Sequence, residues 1–500
     1  MRWELDWLDN RARLTPNKIA VIDKETNKNW TYQELQLRAA SAASWLKAKG
    51  VRKGDRIALL SPNHISYLDL LFACGKIGAI FVPLNWRLST AELNGILEDC
   101  SPAFIGVHEH FQGMLPSLQT LHINAFSVGG PSYDEMVTFE RKDFFFEVIS
   151  EQDPLMMIYT GGTTGKPKGV VLSHQSIQWN AVNTILSWNL TVEDVTINYM
   201  PMFHTGGLNA LTIPILMIGG TVVIGQQYLA EKAAESINQY QCTIILLVPT
   251  MYHMLIQTEE FMNGDFPTMK VFLSGAAPCP LHIYEAFDKK GLAFKEGYGL
   301  TEAGPNNFYI SPEDAQIKRG SVGKPMLFNA VQLINEHGQE AGVNEVGELL
   351  IKGKHSFSNY WNNKKASMET VQNGWLHTGD LAKRDEHGFY YIVGRKKDMI
   401  ITGGENVYPL EIEHWLAAHP AVDEVAVIGI ADDKWGELVA AFIVARHPQA
   451  FDEAELKNYC EKKLGRYKIP KRFIRLEELP KTHVGKIDKK QLKEMSLKIL

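Results

Sequence analysis

A layered α/β body followed by a small α+β domain is the fold class this 500-residue sequence predicts. Three observations carry it. The length exceeds what one core holds and suggests about three domain-sized units, some of them merged into one large lobe. Short apolar runs alternate with helix-length periodic segments, the pattern of βαβ units. The text also changes character near residue 395. In chain order, a helical pattern over Glu34 to Lys49 ends at Gly50, and Asp55 to Leu60 reads as a strand feeding a helix near Tyr67 to Lys76. Further strands are predicted at Thr221 to Ile224, Thr243 to Val248 and Lys270 to Leu273. After Gly374 come short strand-like pieces and turns, then the polar run Arg395-Lys396-Lys397-Asp398. The boundary is placed there, giving residues 1–395 and 396–500. The second part reads as a helix from Pro409, strands at Val425 to Ile430 and Val439 to Val444, and a basic helical end.

Composition excludes several classes. A net charge of −6 gives no general attraction to nucleic acid or to anionic membrane. The five cysteines, Cys74, Cys100, Cys242, Cys279 and Cys460, are odd in number, scattered and without C-x-x-C spacing, which fits a reducing, cytoplasmic home. The acidic start Met-Arg-Trp-Glu-Leu-Asp is unlike a signal peptide. Leu211 to Gly225 is uncharged but shorter than the roughly 20 residues a spanning helix needs, and Gly219-Gly220 interrupts it. A buried helix, turn and strand is expected. A homodimer is left open.

The most informative stretch runs from Tyr159 to Val170 and contains Thr160, Gly161, Gly162, Thr163, Thr164, Gly165, Lys166 and Lys168 behind an apolar strand. Glycines let backbone N–H groups turn inward, threonines add donors and lysines add charge, a combination suited to a triphosphate. It is not a Walker A loop, because Thr160 stands where the first glycine is required and Pro167 follows Lys166 where Ser or Thr is required. No G-x-G-x-x-G follows any strand-like run, so a Rossmann site is excluded as well.

Further nucleotide-type segments are Gly297-Tyr298-Gly299-Leu300-Thr301-Glu302, His377-Thr378-Gly379-Asp380, Gly394-Arg395-Lys396-Lys397-Asp398, Gly403-Gly404-Glu405-Asn406 and Thr482-His483-Val484-Gly485-Lys486-Ile487-Asp488. In this order and with the 159–170 loop, they resemble the adenylate-forming superfamily of acyl-CoA synthetases, adenylation domains and luciferases. The resemblance spans nearly the whole chain. It implies a large N-terminal lobe and a small C-terminal domain that swings about a hinge, for which Lys397 is the matching position. By residue type alone, Lys397 is equally an ordinary exposed lysine.

The resemblance also implies chemistry: ATP, Mg²⁺ and coenzyme A as co-substrates and metal, and a carboxylic acid converted to an acyl-AMP and then to a thioester. The loop from Thr160 to Lys168 would hold the β- and γ-phosphates. Tyr298 would lie along the adenine, with Gly297 beside it in the ATP site, Thr301 would meet the α-phosphate, and Glu302 would hold magnesium. Asp380, helped by Arg395, would bind the ribose hydroxyls, although a lone Thr-Gly-Asp also reads as a turn. Lys486 resembles the lysine that bridges carboxylate and α-phosphate, in a tail otherwise full of solvated lysines. Gly403 and Gly404 would let a pantetheine arm pass, and equally read as a turn needing positive φ. Lys468, in a basic run, would face the CoA phosphates.

For the acid, Met202-Phe203-His204-Thr205-Gly206-Gly207 resembles the segment bordering the acyl pocket. Amino-acid-activating members carry an aspartate after that phenylalanine, whereas this chain has His204. A substrate ammonium would lack its countercharge there at a cost, so an amino acid is not the expected substrate. His204 reads as a gate or as a hydrogen-bonded core histidine. Gly161, in Thr-Gly-Gly-Thr-Thr-Gly, is shared with some long-chain fatty acyl-CoA synthetases, so medium- or long-chain fatty acids are the first expectation. Small residues Gly206, Gly207, Ala276, Ala277 and Gly299 would equally admit an aryl acid of coumarate, benzoate or succinylbenzoate type. Loading a carrier-protein thiol is the other alternative.

Overall fold

The computed structural model describes residues 3–118, 123–141, 148–161, 167–447, 451–482 and 487–499. Its centre is a seven-stranded sheet in the spatial order 359–360, 168–173, 154–160, 80–83, 56–60, 104–108, 124–128. The strands from 154–160 to 124–128 run parallel, and the hairpin partner 168–173 turns back antiparallel. Helices Ser66–Ile77 and Thr90–Cys100 are crossovers between these parallel strands. A four-stranded sheet (29–31, 19–23, 221–224, 195–198) and a parallel three-stranded one (244–247, 271–274, 294–296) complete the α/β body.

Local chemistry explains the boundaries. Helix Tyr32–Ala48 opens with a capping box in which Thr31 and Glu34 satisfy each other's backbone N–H groups. Gly50, at φ +90°, follows its end. Helix Ser66–Ile77 stops at Gly78, whose left-handed backbone turns the chain into the strand Ile80–Pro83. The uncharged stretch at 211–225 folds as helix Thr212–Ile218, a left-handed Gly219 and strand Thr221–Ile224, most of it buried. No helix among the described residues is long and apolar enough to cross a membrane.

An antiparallel sheet (330–334, 347–352, 375–384, 371–372, with 390–395 against 375–384) leads to the C-terminal part. There, hairpin 400–402/405–407, the long pair 422–432/436–445 and the parallel edge strand 472–476 form a separate five-stranded sheet. Ile400, Val407, Ile412, Val427, Ala441 and Phe473 close a core of their own beneath helix Pro409–Ala417. The molecule is thus a large mixed α/β domain followed by a small α+β domain.

Candidate active site

The loop at 161–167 joins the two strands of a hairpin, with Thr160 opposite Lys168 and Tyr159 opposite Gly169. That register sets Thr160 and Lys168 side by side at its mouth. Gly161 is exposed. Gly162, Thr163, Thr164, Gly165 and Lys166 lie outside the described residues, as does Lys486.

Lys168 Nζ sits 5.0 Å from the centroid of the Tyr360 ring. The Tyr360 hydroxyl donates to Glu302 Oε1 at 2.8 Å. The backbone of Glu302 is fixed too, since Phe357 N donates to its carbonyl at 2.7 Å. The loop lysine and the Glu302 carboxylate therefore share one aromatic side chain. Glu302 Oε2 accepts no hydrogen bond among the described residues, so a hard anionic oxygen is free at a half-buried position. That is the donor type Mg²⁺ takes, usually one or two carboxylates completed by phosphate and water oxygens. Among the described residues, no group of three or more His, Cys, Asp or Glu gathers to hold an ion by itself.

The second cluster lies at the other end of the 297–302 segment. Strands 375–384 and 390–395 pair Asp380 directly with Arg395, and Arg395 Nε meets Asp380 Oδ1 at 2.8 Å. Tyr298 donates its hydroxyl to Asp380 Oδ2 at 2.5 Å. Burial, and then the charge of Asp380, hold that hydroxyl protonated far above its usual range. The backbone of Asp380 is pinned by Thr378 Oγ1 at 3.0 Å, and Thr378 Oγ1 donates onward to Leu349 O at 2.6 Å. Gly297 N bonds to Ser274 O at 2.8 Å. Gly299 is required by a close approach: a Cβ there would meet Pro305 O at 2.1 Å. Thr301, between Tyr298 and Glu302 in sequence, is buried.

In the segment from Met202 to Gly207, His204 Nδ1 accepts from Gly206 N at 3.3 Å, and Gly206–Ala210 winds as a π-helix. Such one-turn widenings occur often at functional sites. A Cβ on Gly207 would meet Pro201 O at 2.2 Å, so this glycine, like Gly299, answers a backbone contact rather than the need for room beside a ligand. The segment is clamped by the buried amide of Asn63, which donates to Met200 O and Gly225 O and accepts from Met202 N. Ala276 is exposed and holds φ +72°, a left-handed conformation that costs a non-glycine residue about 1 kcal/mol or more and clusters at functional sites. Its loop is tied down by Glu296, which accepts from Cys279 N at 3.0 Å and from the Tyr284 hydroxyl at 2.6 Å.

In the small domain, Gly403 and Gly404 are the two turn residues of a hairpin in which Thr402 pairs with Glu405. Both have positive φ, +59° and +84°, as a tight two-residue hairpin turn demands. A Cβ on Gly403 would touch the Trp435 ring, whereas around Gly404 the space is open. Lys468 Nζ is paired with both oxygens of Glu411, at 2.9 and 2.7 Å. Lys397 is exposed in a single 3₁₀ turn, Lys396–Asp398, between the two sheets.

Sequence reasoning missed Tyr360, Asn63 and Glu296, and gave Thr378 no role although it lies in the quoted segment His377-Thr378-Gly379-Asp380. Glu296 had one signal, a carboxylate placed directly before Gly297 in the short strand Phe294–Glu296. Tyr360 lies 58 residues from Glu302 in a two-residue strand, and no spacing announces that contact.

The chain belongs to the AMP-binding enzyme family: residues 8–361 match the AMP-binding enzyme model and residues 411–486 match the AMP-binding enzyme C-terminal domain. It is 35% identical over 500 residues to the indoleacetate–CoA ligase of Aromatoleum aromaticum, covering 98% of this chain and 97% of that protein. It is 36% identical over 491 residues to the feruloyl-CoA synthase of an Amycolatopsis species, covering 97% and 98%. Among solved structures, it superposes with a TM-score of 0.88 and 34% identity on the o-succinylbenzoate CoA synthetase of Bacillus subtilis in complex with an acyl-adenylate intermediate, covering 98% of both chains. The same synthetase, bound to ATP and a magnesium ion, matches equally well, at 0.88 and 34%, over 98% of this chain and 99% of that one.

Proposed function

We propose that this protein is an AMP-forming acid:CoA ligase that activates an aromatic carboxylic acid as its acyl-AMP and transfers the acyl group to coenzyme A. The observation that carries the reading is the arrangement around segment 297–302. At one end Tyr298 bonds to Asp380; at the other Glu302 faces Lys168 across Tyr360. A nucleotide laid along this segment would meet a carboxylate suited to a ribose diol at one end and cation, hydroxyl and carboxylate at its phosphates.

In the first half-reaction, a carboxylate oxygen of the acid attacks the α-phosphorus. The bond to the β-phosphate bridging oxygen breaks, and pyrophosphate leaves. Both reactants are anionic, so the work falls to donors aimed at the charge that develops, which are Thr301, the loop from Thr160 to Lys168, and Lys486. Glu302 would hold a magnesium ion, whose chemistry is to neutralise phosphate charge. In the second half-reaction, the CoA sulfur attacks the acyl carbon, its proton passes to solvent, and AMP leaves with the former carboxylate oxygen.

The division at 395/396, with Lys397 as the hinge, would let the small domain deliver Lys486 for the first step and open the Gly403–Gly404 turn to the pantetheine arm for the second. The separate core of residues 400–473 supports such independent movement. The five unpaired, buried cysteines support a cytoplasmic location.

On the acid, the fatty-acid expectation gives way to the aryl alternative. It rested on Gly161 alone, whereas relatives covering nearly the full chain act on indoleacetate, ferulate and succinylbenzoate. The test is thioester formation with indoleacetate, ferulate, 2-succinylbenzoate, benzoate, octanoate and palmitate, with ATP and CoA supplied. Preference for an aryl acid supports the reading. Preference for palmitate or octanoate restores the fatty-acid assignment, and AMP release without CoA-dependent thioester points to a carrier-protein acceptor.

A further inference from the structure

We infer that Tyr360 is a positioning residue of the first half-reaction: one side chain orients the Glu302 carboxylate through its hydroxyl and seats the Lys168 ammonium on its ring. This rests on the assignment of Glu302 and Lys168 to the metal and phosphates. The geometry is specific. Tyr360 is 6% exposed, held by strand pairing with Val170, by a bond from its N to Ser367 Oγ at 2.9 Å, and by the Phe357 ring at a centroid distance of 4.9 Å. Its hydroxyl donates to Oε1 of Glu302 at 2.8 Å, and Oε2 accepts no hydrogen bond among the described residues. Its ring lies 5.0 Å from Lys168 Nζ.

The consequence is that the two charges required around a triphosphate are fixed before it arrives. A carboxylate with one oxygen bonded cannot spin freely, so the free oxygen presents a single direction. The ammonium, drawn to the ring face, is kept from closing directly onto that carboxylate, a salt bridge that would neutralise both groups in the empty site. The ring thus acts as a spacer between opposite charges, and the hydroxyl as a stop on one of them. Partners of this kind, one bond removed from a metal, typically change metal affinity or activity about 10- to 100-fold when removed.

The experiment uses the full-length protein with Tyr360→Phe, Glu302→Gln and both together. Calorimetric titration of ATP is run at several Mg²⁺ concentrations, alongside pyrophosphate–ATP exchange and thermal unfolding. Tyr360→Phe keeps the ring and the packing, so its unfolding temperature should stay near wild type. The Mg²⁺ concentration giving half-maximal ATP affinity should rise about tenfold, the scale of losing one hydrogen bond to a charged group. In the Glu302→Gln background, Tyr360→Phe should add almost nothing. Tyr360→Leu, which also removes the ring, should weaken ATP binding a further few-fold, as loss of a cation–π contact does. An unchanged Mg²⁺ dependence in Tyr360→Phe, or full additivity with Glu302→Gln, overturns the inference. A wild-type Mg²⁺ dependence in Glu302→Gln overturns instead the assignment of Glu302, a separate failure.

Discussion

Lys295 is buried, 4% exposed, and lies between two aromatic rings, with its Nζ 4.6 Å from the centroids of both Trp188 and Tyr309. Burial lowers its pKa from 10.5 to about 7. At about 1.4 kcal/mol for each tenfold, that drop corresponds to about 5 kcal/mol in favour of the neutral amine. The rings attract the cation by about 1–2 kcal/mol, so the working figure is about 3–4 kcal/mol. The unfolded amine is protonated below 10.5, the folded one only below about 7. Between those values the unfolded chain binds the extra proton, so stability rises with pH across this window and the loss is complete below about 7. Lys295→Met keeps the length and removes the titration. Denaturant unfolding at pH 7 and at pH 10 measures it: the variant should be more stable than wild type by a few kcal/mol at pH 7, with most of the gain gone at pH 10. An equal difference at both pH values would refute the reasoning, because packing alone does not depend on pH.

The neighbouring Glu296 has the opposite sign. Burial lifts it from 4.5 to about 7, against the pull of Tyr284 and Cys279 N–H, so the folded state binds more protons in that window and stability falls as pH rises through it. Glu296→Gln should flatten that slope in urea unfolding between pH 4.5 and 7; an unchanged slope contradicts the assignment. Asp380→Asn removes the charge opposite Arg395 while keeping an acceptor for Tyr298. It should raise the KM for ATP by about 10- to 100-fold with little loss of stability, since Arg395 is 44% exposed; an unaltered KM would remove Asp380 from the nucleotide site. Lys486→Ala should slow acyl-AMP formation by about 10²- to 10³-fold and spare thiol transfer from supplied acyl-AMP, measured as separate half-reactions. Equal losses in both would end its proposed role.

Periodic and punctuated segments were legible from sequence, and pairwise contacts were not. Thr221–Ile224 and the helix–turn–strand at 211–225 follow directly from an uncharged run broken by Gly219-Gly220. The helix after Pro409 follows from a proline at a helix start. The strand at Val425 runs longer than expected, Val422–Asp432, because pairing with Gly436–Ala445 recruits polar flanks that propensity alone would leave out. In the candidate site, Asp380 and Arg395 were legible as residue types, but their cross-strand pairing depends on register. Gly207 and Gly299 were noticed for smallness, whereas the structure uses them where carbonyls of Pro201 and Pro305 approach. Tyr360 was silent, because its value comes from two partners brought together by the sheet.

The most direct measurement is isotope exchange between labelled pyrophosphate and ATP, without CoA, across the acid panel. The account predicts exchange that requires both magnesium and an aryl acid and that falls in Glu302→Gln and Lys486→Ala. Absence of exchange with every acid, from folded protein that still binds ATP, would contradict it.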